Sequence, residues 1–110
     1  MANTFKLKTK ANVGVTTVGI YTAPAATTTV VIGITLSNTS GSGVNVGVAV
    51  SRTSDTKDDV SLLKNAPIPQ GSSLEFMGGN KVVLEATDTV TVDSDTNSSV
   101  DASLTIMEIT

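Results

Sequence analysis

Histidine, cysteine and tryptophan are absent from this chain, and phenylalanine and tyrosine together supply three of its 110 residues. Without histidine there is no imidazole to act as general base, proton shuttle or metal ligand. Without cysteine there is no disulfide framework, thiolate metal site or thiol nucleophile, and the redox compartment stays open. A serine hydrolase would then need lysine as its base. Ser61 lies near Lys64, but neither a nucleophile elbow nor a Gly-rich oxyanion turn accompanies them. The glycines form no Walker-type loop and no dinucleotide fingerprint. Paired carboxylates of the glycosidase kind work in a cleft with aromatic platforms, and Phe5, Tyr21 and Phe76 are too few to build one. The sequence therefore predicts a protein that is not an enzyme and holds no cofactor.

Basic charge is also scarce. Seven Lys and Arg face ten Asp and Glu, a net charge of −3, which argues against a phosphate-binding surface and against nucleic acid as a partner. Long apolar runs are missing. No stretch approaches a membrane span, and Met1-Ala2-Asn3-Thr4-Phe5-Lys6 lacks the apolar run of a signal peptide, so the expectation is folding in a cytoplasm with no membrane partner.

What the chain does have is small aliphatic residues at every second position. Val44, Val46, Val48 and Val50 alternate with polar or small residues, as in a half-buried strand. Val30, Ile32, Ile34 and Leu36 alternate in the same way, and the turn-forming residues 38–43 between the two runs predict an antiparallel hairpin. Shorter segments follow at 60–64, 73–77, 81–85, 89–92 and 99–109. Pro67 and Pro69 keep Ile68 extended but unable to join a full ladder, as in a connector or an edge. Gly78-Gly79-Asn80 suits a tight turn, and 54–59 has no apolar face and reads as a loop. The fold class expected is all-β: an antiparallel β-sandwich of about eight or nine short strands, jelly-roll or immunoglobulin-like. Residues 1–110 form one domain of this kind, with 1–10 either an extended N-terminal arm or an edge strand.

Two strands show uneven faces. Lys6, Lys8 and Lys10 alternate with Phe5, Leu7 and Thr9, which reads as a solvated edge that discourages stray pairing. In the last strand Val100, Ala102, Leu104 and Ile106 share one face, after which Met107 and Ile109 load the other. A β-bulge switching the register, or a neighbouring subunit, would cover them. Phe5, Leu7, Met107 and Ile109 are accordingly the candidate assembly residues. For metal, the expectation is none. The one arrangement to weigh is Asp93, Asp95 and Asn97, with Asp101 beyond, because oxygen ligands alternating in a turn can wrap calcium. An EF-hand loop would place Gly at Ser98 and Glu at Leu104 and would lie between helices, so a solvated turn fits better.

The run Lys64-Asn65-Ala66-Pro67-Ile68-Pro69-Gln70-Gly71-Ser72-Ser73-Leu74, then Gly79-Asn80-Lys81-Val82-Val83-Leu84-Glu85 and the closing Met107-Glu108-Ile109-Thr110, resembles small virion proteins of tailed bacteriophages, cyanophages among them. Val18-Gly19-Ile20-Tyr21-Thr22-Ala23-Pro24 and Thr27-Thr28-Thr29-Val30-Val31-Ile32-Gly33 share the pattern more loosely. The resemblance implies a non-enzymatic structural protein of the virion, assembled in the host cytoplasm. Its leading form is a decoration (cement) protein that bridges major capsid subunits as a homotrimer, stabilising the head by added buried area. Residues 2–10 could add a strand to a neighbour. The alternatives are a neck, tail, baseplate or fibre subunit, and, in a different class, a receptor- or glycan-binding module using Tyr21, Phe76 and the 93–101 loop.

Overall fold

The computed structural model describes residues 2–53, 58–76 and 81–110. Among them are nine strands and no helix: β1 (Asn3–Val13), β2 (Val18–Thr22), β3 (Thr28–Asn38), β4 (Val44–Ser51), β5 (Val60–Ile68), β6 (Ser73–Phe76), β7 (Val82–Leu84), β8 (Thr89–Ser94) and β9 (Val100–Ile109). One sheet runs β1-β9-β3-β6, with β7 sharing the outer side of β3, and the other runs β2-β8-β4-β5. Every pairing between these strands is antiparallel. If β6 and β7 count as one interrupted strand, this is the eight-strand order of a jelly roll. The expected turn at Gly78-Gly79-Asn80 lies outside the described residues, as does most of the expected 54–59 loop.

Aliphatic side chains from both sheets fill the space between them. Val44, Val46, Val48 and Val50 all face inward, opposite Ile34, Leu36, Leu104 and Ile106 of the other sheet. The predicted hairpin between the third and fourth strands does not form, because β3 and β4 belong to different sheets. The 38–43 connection is an arch from one sheet to the other. Asn38 organises it from a buried position: its amide donates to the carbonyls of Ser42 (2.8 Å) and Ile68 (2.9 Å), and its oxygen accepts from Ser40 N and Oγ. An arch and a hairpin need the same turn-forming residues, so local composition does not separate them. Ser94 and Ser99 serve the last crossing, from β8 to β9, through a buried contact of 2.7 Å between their hydroxyls.

The alternation expected in β3 also fails at one point. Val31 pairs with Ile106 but Gly33 pairs with Thr105, leaving Ile32 as an extra residue. This bulge reverses the parity, so Thr29 and Val31 are buried before it and Ile34 and Leu36 after it, while Val30 turns outward. The same break divides the partners on β3's far side: β7 takes Thr29 to Val31 and β6 takes Ile34 to Ser37. Pro67 lies in β5, an edge strand, where a missing N–H costs little.

Ala26 holds a φ of 57° in the exposed turn between β2 and β3. A side chain with a Cβ is strained there and glycine is not. Ala26→Gly is expected to raise stability by up to about 1 kcal/mol, read as a higher urea midpoint at unchanged slope. A lower midpoint would refute the claim of strain.

Candidate interaction surface

Paired residues in a ladder share a face, so the registers define the outer side of the five-stranded sheet. Phe5 pairs with Met107, Met107 with Val30, and Val30 with Val83. These four side chains form one row across β1, β9, β3 and β7, about 14 Å wide at the usual strand spacing. Leu7 and Ile109 flank the row through their pairs with Thr105 and Asn3. Phe5 is 68% exposed, Leu7 65% and Val83 58%, whereas Met107, Ile109 and Val30 are half-buried. Phe5, Leu7, Met107 and Ile109, singled out from the sequence, are thus brought together on one face, and Val30 and Val83 join them. Ladder charges on this face, Asp101 and Glu75, sit toward the other end, paired with Ser37 and Thr35.

No bulge switches the last strand. β9 alternates regularly to its end, and the inward position after Ile106 is taken by Glu108. Its carboxylate is buried at the flank of the sandwich and two groups satisfy it. Lys6 Nζ lies 2.7 Å from Oε1, and the Tyr21 hydroxyl donates to Oε2 at 2.6 Å. The Thr29 hydroxyl, 2.8 Å from the Tyr21 oxygen, is left to act as donor there, because Tyr21 has one proton and Glu108 takes it. The Lys6 ion pair, followed by the Tyr21 hydrogen bond, holds the Glu108 carboxyl below its usual range. Burial, followed by the Glu108 acceptor, pushes the Tyr21 hydroxyl up to about 12.

This network explains the orientation of β1. Lys6, Lys8 and Lys10 lie on its core-facing side, paired with Ile106, Leu104 and Ala102. Lys8 Nζ reaches within 5.9 Å of the Tyr21 ring centroid. Inward-pointing lysines on an edge strand oppose pairing with a foreign strand, because they must then lose water without gaining a counterion. Residues 3–10 are paired along their length with β9, and Ala2 exchanges two backbone hydrogen bonds with Thr110 at 3.1 and 3.0 Å. The segment suggested as a donor to a neighbour is therefore a strand of its own sheet.

The calcium candidates do not converge. Asp101 Oδ1 accepts the Asn12 N–H at 3.0 Å, and Asp95 Oδ1 accepts from Asn45 N and Thr96 Oγ1. Asp93 lies on the outer face of the four-stranded sheet, Asp101 on that of the other, and Asn97 in the β8–β9 turn beside Gly14. Among the described residues, no three acidic side chains are placed to hold a metal ion. Tyr21, suggested as a glycan platform, is 7% exposed and bonded into the flank network. The Phe76 side chain lies outside the described residues. Arg52 is bound by Asp88 at 3.1 Å and by Glu85, closing the β7–β8 turn against β4.

No family model matches the chain, and no curated protein matches it. One solved structure, of Bacillus endospore appendages that form a family of disulfide-linked pili, has a similar fold. The TM-score is 0.54 at 15% identity, over 99% of this chain and 87% of that one. The likeness shows the fold alone. The disulfide linkage named for those pili has no counterpart in this sequence, which has no cysteine. No phage protein emerges from these comparisons, so the resemblance to virion proteins rests on the sequence motifs.

Proposed function

We propose that the chain is a non-enzymatic building block of a protein assembly, attached to its neighbour through the outer face of the five-stranded sheet. The observation that carries this reading is the apolar row Phe5–Met107–Val30–Val83, open to solvent at both ends. Contiguous apolar patches on a small domain mark interaction sites, and a row with a polar surround resembles the core and rim of an interface. Following the sequence resemblance, the assembly is a phage head and the neighbour its major capsid protein, with the domain adding buried area at subunit junctions. A trimer at each junction is one form this takes, and a neck or tail position is the alternative.

The test is incorporation into particles. Phe5→Asp and Val83→Asp change exposed side chains, so both variants are expected to fold and melt like the parent while being lost from purified virions. High copy number by quantitative mass spectrometry supports the head, and low copy number the neck or tail. Full incorporation of both variants would refute docking through this face. A second reading, a self-assembling appendage subunit, is favoured by the fold it shares with the endospore appendage protein. Concentration-dependent growth of the purified chain into filaments, seen by sedimentation, would support that reading.

A further inference from the structure

We infer that the opposite face of the sandwich carries a binding notch for a neutral, hydroxyl-rich ligand, a single hexose-type sugar ring. The notch is built by a missing side chain. Gly47 of β4 pairs with Asp93 of β8 on one side. On its other side the β5 register jumps from Leu63 to Ala66 while β4 advances from Val48 to Val46, so both Lys64 and Asn65 stand opposite Gly47. Asn65 takes a positive φ of 53° in this bulge. Bulges of this kind re-aim side chains next to functional sites. The row across the sheet therefore reads carboxylate, gap, then ammonium and amide.

The next row has the same character, with Thr91, Ala49 and Ser61 in register. A small floor of Gly47 and Ala49 lies between polar walls, and together these residues line a cavity of about 260 Å³. That is just under the size of pockets for drug-like molecules, which suits one ring rather than a chain. Asp93 leans into the gap: a methyl group on Gly47 would come within 2.4 Å of its Oδ1. Among the described residues the Asp93 carboxylate has no hydrogen-bond partner, and it forms no ion pair with Lys64.

Charge selects the ligand class. A cation entering the gap meets Lys64, and an anion meets Asp93. Hydroxyl groups satisfy both walls, because each donates to a carboxylate and accepts from an ammonium or amide. The notch and the apolar row lie on opposite outer faces, so docking by one leaves the other open. The inference stands apart from the assembly reading, since it is tested on the free protein.

The experiment is an amide-resonance titration of the full chain with glucose, galactose, mannose and N-acetylglucosamine in the millimolar range. At least one sugar is expected to shift the amides of Gly47, Asn65, Thr91 and Asp93 with saturation. Asp93→Asn, which keeps the shape and removes the charge, should weaken binding about tenfold. Gly47→Ala should weaken it as much, because its methyl displaces the flexible Asp93 side chain while the fold persists. The inference is overturned if no sugar of the panel moves these amides. It is equally overturned if the shifts fall on the five-stranded sheet, or if Asp93→Asn binds as the parent does.

Discussion

Replacing Leu104 with alanine is expected to cost about 4 kcal/mol of stability and to lower the melting temperature by roughly 20 °C. Leu104 is wholly buried at the centre of β9, between Lys8 of β1 and Ile34 of β3. The surrounding core is Val, Ile, Leu and Ala, most of it from β3, β4, β8 and β9, whose positions are fixed by ladders on both sides. Tyr21 is the one aromatic ring of this core among the described residues, and its hydroxyl is tethered to Glu108. Nothing flexible stands ready to fill the cavity, which places the cost toward the unrelaxed end of such substitutions. Thermal melts followed by circular dichroism measure it. Val83→Ala, on the outer face, is the contrast and should stay within about 0.5 kcal/mol of the parent. A Leu104→Ala loss no larger than that would mean that the core repacks freely.

The second large effect is in pH dependence and centres on Glu108. Lys6, Lys8 and Tyr21 all favour its ionised form, so its folded value lies below the 4.5 of a free side chain. A lowered carboxylate contributes stability that is complete above the unfolded value and is lost as pH falls through the folded one. Tyr21 works in the other direction. Its folded value of about 12 against 10.0 unfolded means that its contribution is complete below pH 10 and disappears as pH rises toward 12. Urea midpoints measured across pH should therefore fall on both limbs. Glu108→Gln should flatten the acid limb. Tyr21→Phe should flatten the alkaline limb and also shrink the acid one, since Glu108 then loses a donor. If the acid limbs of the parent and Glu108→Gln superimpose, the network does not control acid stability.

The sequence is most transparent where a strand runs without interruption. In β4, four valines at alternate positions are all buried, as period-two patterning requires. It is less so at bulges: Ile32 and Ile34 look equivalent in the pattern, yet the extra residue at Ile32 separates them. β2 escapes notice for the same reason, since it is short and carries a register break between Gly19 and Tyr21. The faces of β1 can be told apart from the sequence, but which face turns inward depends on Glu108, about a hundred residues away. No local signal carries that pairing. Of the candidate surface, the apolar residues of the first and last strands are visible in the sequence, while Val30 and Val83 become members only through the ladder. The notch on the other sheet has one sequence clue, a glycine inside a valine strand, which marks close approach of another group.

The strand order has a consequence for how the chain acquires its shape. Among the described residues, β4 and β5 are the one hydrogen-bonded pair that is also consecutive, while β9 is inserted between β1 and β3. Contacts so distant in sequence carry a large loop-closure cost before any of them rewards the chain, which places folding in the milliseconds-to-seconds regime. During synthesis β1 and the β9-facing edge of β3 must wait, unzipped, until β9 leaves the ribosome, and the lysines of β1 stand guard over that interval.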